Sequence, residues 1–311
     1  NASRRHFLRH SAAVTTGFFG LDQFLASSAA ASEVSRIDPW GPLQKDPHRI
    51  IDLPKGFQFR VLSRTGDKMN DGFKVPGQPD GMAAFPGKDG RVVLVRNHEI
   101  GHAYWELGPF KDNKRLPEDF DPSLSYDPGS EDSPPFVGGT SNLVFDPKTG
   151  EVEHQFLSLL GTDRNCAGGP TPWGSWVTCE EPADTTSEIG RKHGYCFEVP
   201  ASEKGGLAKP VPLKDMGRFR HEAIAVHPGS GAVYLTEDRG DGLIYRFLPN
   251  SPGQLARGGK LQALKFRDRK SLDTRNWPGD SEPLPKRRRF PVEWIDLEDI
   301  DAPLDDLRLR G

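Results

Sequence analysis

Residues 161–181 read Gly-Thr-Asp-Arg-Asn-Cys-Ala-Gly-Gly-Pro-Thr-Pro-Trp-Gly-Ser-Trp-Val-Thr-Cys-Glu-Glu. A thiol, Cys166, is the first reactive group. Two glycines and two prolines follow and predict a turn. A short strand over 173–178 then leads to a paired carboxylate, Glu180 and Glu181. A thiolate and carboxylates at the two ends of one turn-and-strand unit are a donor set for a hard or borderline metal ion. A buried structural cysteine beside a solvated acidic turn uses the same residues, because free cysteine is among the most buried residue types. The surrounding chain decides between the two.

The pattern around this run is one of small β units. The chain has 311 residues, with 34 glycines and 28 prolines. That length suits one large β architecture. Long amphipathic helical periods are scarce, so turn-rich β structure is expected. A net charge of −3 argues against nucleic-acid binding. The basic run 286–289 reads as a solvated loop.

A loose repeat starts at Asp80. The first unit runs Asp80-Gly81-Met82-Ala83-Ala84-Phe85, turns through 86–90, returns over 91–96 and stops on Asn97-His98-Glu99. The second starts at Asn165-Cys166, turns at 168–172 and stops on Cys179-Glu180-Glu181. The third starts at His221-Glu222, turns at 227–231 and stops on Thr236-Glu237-Asp238. Outer strands are expected over 193–199 and 242–247. A further pair, 141–146 and 151–159, flanks a Pro-Lys-Thr-Gly turn, and a strand is expected over 57–62. Repeated small sheets of this kind predict an all-β, β-propeller-like fold.

The repeat has a chemical consequence. In an antiparallel hairpin the start of the first strand lies beside the end of the second. Each unit then delivers its first and last residues to one face: Asp80 with Glu99, Cys166 with Glu180 and Glu181, and Glu222 with Glu237 and Asp238. Converging carboxylates repel unless cations are bound. The acidic ends are therefore read as a metal-bearing mouth rather than as three solvated strand ends. His98 and His221 sit in the same ring, whereas His102, His193 and His227 do not. Arg164 and Arg239 flank ring carboxylates; they either neutralise an anionic substrate or pair with those carboxylates. Three cysteines leave an odd thiol. Cys179 and Cys196 pairing would leave Cys166 free, and all three free is the other arrangement.

The amino terminus adds a location. Ser3-Arg4-Arg5-His6-Phe7-Leu8 is a twin-arginine export signature, followed by an uncharged stretch over 11–21 and by Ala29-Ala30-Ala31 as small residues for cleavage. Residues 1–31 are read as the signal and 32–311 as one β-propeller domain. The apolar run is too short to span a bilayer. The first residue is Asn1 rather than Met, and 301–311 carry no closing strand pattern, so a fragment lacking a C-terminal part is expected.

At these residues the chain resembles the PhoX family of alkaline phosphatases. The resemblance rests on the twin-arginine leader and on Pro-Asp-Gly-Met (79–82), Arg-Asn-His-Glu (96–99), Asn-Cys-Ala-Gly-Gly-Pro-Thr-Pro-Trp-Gly (165–174), Thr-Cys-Glu-Glu (178–181), Arg-His-Glu-Ala (220–223) and Tyr-Leu-Thr-Glu-Asp-Arg (234–239). It implies a propeller whose mouth holds a mixed Fe3+ and Ca2+ cluster. It also implies hydrolysis of phosphate monoesters outside the cytoplasm at alkaline pH. Cys166 corresponds to the iron-ligating cysteine. Glu99, Glu222 and Glu237 correspond most directly to carboxylate ligands, and Glu180, Glu181 and Asp238 less directly. The family's later motif blocks are not found here.

Three readings follow. A phosphomonoesterase would use iron on Cys166, calcium on carboxylates and Arg239 or Arg164 against transition-state charge, acting as a periplasmic or extracellular monomer that meets the twin-arginine translocase during export. A calcium-dependent propeller esterase or lactonase would need carboxylates and no thiolate. An exported, non-catalytic propeller would bind metal without turnover.

Overall fold

A computed structural model describes residues 40–183, 186–187, 189–278 and 283–310. The export signature and the small-residue segment at 29–31 lie outside these residues. The chain divides into two compact units, 1–60 and 61–311. In the first, β1 (Leu43–Gln44) pairs antiparallel with β2 (Leu53–Pro54), and Trp40 meets Phe57 edge-on at 5.3 Å. Residues 57–62 do not form the expected strand. Their side chains alternate in type, but the segment is exposed throughout and has no ladder partner.

The second unit holds three antiparallel sheets in which sequence neighbours are spatial neighbours. The first is β3 (Pro79–Pro86), β4 (Val92–His98), β5 (Gly138–Asp146) and β6 (Glu151–Thr162). The second is β7 (Asn165–Pro170), β8 (Ser175–Glu180) and β9 (Cys196–Pro200). The third is β10 (His221–Val226), β11 (Val233–Glu237), β12 (Ile244–Pro249), β13 (Gly259–Phe266) and β14 (Val292–Asp296). Successive meanders, each of a few strands, give the β-propeller-like architecture expected from the repeat. β13 and β14 extend the third sheet past the last expected strand. Among the described residues no helix is long and apolar enough to cross a membrane.

The glycines of the opening stretch act differently from their sequence reading. Gly168 and Gly169 lie inside β7, and the turn comes later, closed by Thr171 N donating to Ser175 O at 2.8 Å. What these glycines provide is closeness. A Cβ on Gly168 would strike the Val177 carbonyl, and one on Gly169 the Ile224 carbonyl. A Cβ on Gly81 would meet the Cα of Ala167 at 2.8 Å. The first strands of the three sheets therefore run backbone against backbone, β3 to β7 to β10.

The core lies between successive sheets. Phe85, Val93 and Val95 from the first sheet pack with Trp176, Phe197 and Val199 from the second. Val177, Cys179 and Cys196 on the second pack with Ile224, Val233, Leu235, Tyr245 and Phe247 on the third. Each large apolar side chain buried this way contributes about 1.5–3 kcal/mol. Stacked sheets with cores between them hold the inner strands in register, and that register positions the site.

Candidate metal centre

The three inner hairpins carry the same irregularity. Pro79 pairs with His98 and Met82 with Arg96, so Asp80 and Gly81 bulge opposite Asn97. Asn165 pairs with Glu180 and Gly168 with Thr178, so Cys166 and Ala167 bulge opposite Cys179. His221 pairs with Glu237 and Ile224 with Leu235, so Glu222 and Ala223 bulge opposite Thr236. Two residues against one is the mark of a β-bulge, which re-aims a side chain. One step beyond each register pair stands Glu99, Glu181 or Asp238. Their amides donate to Gln78 O at 2.8 Å, Arg164 O at 3.2 Å and Arg220 O at 3.0 Å. Each hairpin thus offers one bulged donor (Asp80, Cys166, Glu222) and one strand-end carboxylate (Glu99, Glu181, Asp238).

These six side chains face one another across the hairpins. Asp80 shares a hydrogen bond with Glu99, and Asp238 shares one with Glu181. The Cys166 thiol bonds the Glu222 carboxylate, which also feels Asp238 and Asp80. Burial first, then the bond to Asp80, pushes the Glu99 carboxyl up to about 7. Burial and Asp238 raise Glu181 against the pull of Arg164. Burial, followed by Cys179, Glu222 and Glu181, pushes the Cys166 thiol far up. Cys166 and Glu181 are buried, Glu99 and Glu222 half-buried, and Asp80 and Asp238 exposed, so the sulfur lies at the floor and two carboxylates at the rim. No three of these donor atoms lie within 4.8 Å of one another, so the group is wider than the shell of one ion.

The register explains which expected residues stay away. Glu180 and Glu237 occupy paired positions, and alternation turns them from the mouth. Glu180 Oε1 accepts from Asp163 N at 2.8 Å and lies 2.7 Å from His193 Nδ1; its Oε2 accepts from Gly194 N and Tyr195 N at 2.8 and 3.1 Å. Glu237 Oε2 accepts from Leu243 N at 3.0 Å and Tyr245 OH at 2.9 Å. Both carboxylates are committed to the fold and do not join the other six donors. His98 sits at the equivalent position, buried between Gly77 O and the Ser141 hydroxyl, each 2.9 Å from a ring nitrogen. His221 likewise points into the core, with Nε2 3.1 Å from Gly217 O.

The cations form a chain. Arg164 pairs with Glu181 and stands 3.9 Å from Glu99. Arg220 lies 3.7 Å from Glu181 and 3.3 Å from Asp305, and Arg239 pairs with the same Asp305. Of the two expectations for Arg164, the observed one is the second: it pairs with a ring carboxylate, Glu181. Arg239 pairs instead with a residue of the C-terminal segment. Arg220 and Asp305 were not singled out in the sequence. Arg220 had a signal, since it precedes His221-Glu222 as Arg164 precedes Asn165-Cys166. Asp305 had none, because it is distant in sequence from every repeat.

The donor set fits metal ions. Five carboxyl groups and a thiol meet two guanidiniums, Arg164 and Arg220, so the acidic groups outnumber the cations the protein itself sets beside them. Oxygen donors suit a hard cation, and the sulfur suits a softer one.

Comparison with known proteins bears on the same residues. The profile of a family described as alkaline phosphatase PhoX matches residues 39–122 and 139–306. No curated protein matches. Among solved structures, Pseudomonas fluorescens PhoX in complex with vanadate, a transition state analogue, is 20% identical, with a TM-score of 0.44 over 68% of this chain and 52% of that one. The chain spans about half the length of that structure.

Proposed function

The chain belongs to the PhoX family of alkaline phosphatases, and from this we propose that it hydrolyses phosphate monoesters at the mouth formed by its three inner hairpins. The observation that carries the reading is the threefold bulge, which brings Asp80, Cys166 and Glu222 to the same hairpin ends as Glu99, Glu181 and Asp238. We assign these six as the metal-holding residues. Cys166 would hold iron, and the carboxylates would share iron and calcium, the spread of the donors suiting several ions rather than one.

Bound there, the ions would supply Lewis acidity to the phosphoryl oxygens. The protein's own groups have separate tasks. Arg164, Arg220 and Arg239 border the mouth, and each guanidinium has five N–H donors, more than a carboxylate partner uses. The spare donors of Arg164 and Arg239 would hold phosphate oxygens, which is charge-assisted and geometrically specific. Glu181 and Asp305 orient those guanidiniums, so they need not reorganise as charge develops. Hydrolysis breaks the ester P–O bond and releases an alcohol and inorganic phosphate.

The leader motif supports export by the twin-arginine route with residues 1–31 removed and a periplasmic or extracellular location, and the proposed working form is a monomer. The test is turnover of a chromogenic phosphate ester by purified protein, with elemental analysis and prolonged chelation. Iron and calcium in the protein, with activity lost on chelation and in Cys166→Ala, are expected. Turnover untouched by both treatments would remove the reading. Calcium without iron, together with hydrolysis of a lactone, would favour the esterase instead.

A further inference from the structure

Behind the mouth, three buried donors meet that the phosphatase reading does not use. Cys179 on β8 and Cys196 on β9 are directly opposite each other. Glu180 N donates to Tyr195 O at 3.0 Å, so the neighbouring pair is the hydrogen-bonded one, and the Cys196 carbonyl turns outward to accept from Leu213 N at 2.9 Å. Cys179 and Cys196 are therefore a non-hydrogen-bonded pair, where opposed side chains come closest. Their Sγ atoms are 3.6 Å apart. The first residue of β10 supplies the third donor: His221 Nδ1 lies 3.3 Å from Cys196 Sγ. Its Nε2 stands 3.1 Å from Gly217 O, which can only accept. Nε2 therefore carries the proton, and Nδ1 presents a lone pair. All three residues are 0% exposed, and the three donor atoms lie within 4.8 Å of one another.

We infer that Cys179, Cys196 and His221 form a buried site for a divalent thiophilic cation of the zinc class. Sulfurs at about 2.3 Å from one ion stand roughly 3.5–4 Å apart, and a nitrogen at about 2.0 Å stands roughly 3.5 Å from each sulfur. The observed 3.6 and 3.3 Å match that spacing, and the third pair, Cys179 Sγ and His221 Nδ1, lies within 4.8 Å. Two thiolates, a neutral imidazole and a divalent ion make a neutral unit, which a site with no solvent exposure requires. The two thiol protons leave as the ion binds. The Gly217 carbonyl is the outer partner that fixes a metal-bound imidazole in orientation and tautomer. A disulfide between the cysteines is the competing outcome. It would take the sulfur away from the Nδ1 lone pair and leave a buried acceptor facing no donor, whereas an ion engages all three atoms.

The position gives the ion a purpose. Cys179 is two residues before Glu181, and His221 is immediately before Glu222. A cation there would pin β8, β9 and β10 beneath two of the proposed ligands of the mouth, so the mouth would rest on a second, structural metal.

The experiment is zinc analysis of the reduced full chain after incubation with zinc, with X-ray absorption at the zinc edge. One zinc with two sulfur ligands near 2.3 Å and a nitrogen near 2.0 Å is expected. Cys196→Ala and Cys179→Ala should each abolish the two-sulfur signature, and Cys166→Ala, which removes the thiol of the mouth, should retain it. The wild-type spectrum decides if a variant does not fold. Zinc-free protein with three free thiols overturns the inference, as does a zinc spectrum with fewer than two sulfurs. In the chain isolated without reductant, a mass lower by about 2 Da with one free thiol, the disulfide, overturns it equally. Because the mouth offers a single sulfur, absence of phosphatase turnover would leave this readout unaffected.

Discussion

Glu181 and Glu237 are both acidic residues at the end of an inner strand, yet they meet opposite surroundings. Glu181 touches Arg164, Arg220 and Asp238 at the mouth. Glu237 is bound by a tyrosine hydroxyl and an amide in the core. Substitution separates the roles. Glu181→Gln is expected to lower both bound metal and phosphatase kcat/KM, the latter by roughly 100-fold or more. Glu237→Gln should leave metal content unchanged and cost about 1–3 kcal/mol of stability, read from chemical denaturation. Equal metal loss in the two variants would contradict the register argument. His193 makes a second residue-scale prediction. It is stacked on Phe136 and buried between Glu180 and Asp127. Burial alone would depress its pKa, but Glu180, Asp127 and Asp163 outweigh it and hold it at about 10. A folded pKa above the unfolded 6.5 means the ion pairs stabilise fully below about pH 6.5, and their contribution is lost as pH rises toward 10. The unfolding midpoint should fall across that window, and His193→Gln should flatten the slope.

At the scale of the element, the bulge and the glycine work together. A bulge re-aims Cys166, and Gly169 three positions later lets β7 approach β10 closely enough for Cys166 to reach the Glu222 side chain and donate to the His221 carbonyl at 3.2 Å. Gly169→Ala inserts a methyl group against the Ile224 carbonyl. The expected cost is about 1–3 kcal/mol, as for overpacked cores generally. Metal content should fall as well, because the separation of β7 from β10 sets the distance between Cys166 and Glu222. A variant with full stability and full metal would show that the strands are not in close contact. Glycine next to proline usually marks a turn, and the local sequence Gly168-Gly169-Pro170 predicts one. Only the neighbouring sheet reveals that these glycines lie in a strand and make room for another backbone.

For the whole molecule, metal and the C-terminal segment are expected to act on the same fold. Chelation of the mouth should lower the unfolding midpoint, and added calcium should restore part of it; a ligand at 100 times its Kd stabilises by about 2.7 kcal/mol. An unchanged midpoint would mean no cation is bound in the native state. The segment near residue 302 is tied in by Arg218, a fully buried guanidinium. It donates to His193 O at 2.7 Å, Ala302 O at 2.7 Å and Pro303 O at 3.0 Å. Arg218→Met should cost about 3 kcal/mol or more by leaving buried carbonyls without donors. It should also raise protease sensitivity near residue 302 and weaken the hold of Asp305 on Arg220 and Arg239.

The sequence by itself determined the kind of fold and the location of its chemistry. Short alternating runs between turn residues can bury one face only by forming small antiparallel sheets, and antiparallel hairpins bring their two ends together. The pairs Asp80 with Glu99 and Cys166 with Glu181 were legible for that reason. Tertiary structure decided which end residue faces the mouth. Strand alternation has a period of two, so Glu180 and Glu181, or Glu237 and Asp238, face opposite ways, and the bulge in the facing strand, which depends on how that strand packs, sets which donor meets them. It also brought Arg220 to Asp305 and His221 to Cys196, contacts between distant segments that no local pattern encodes, because they exist only once the sheets are stacked.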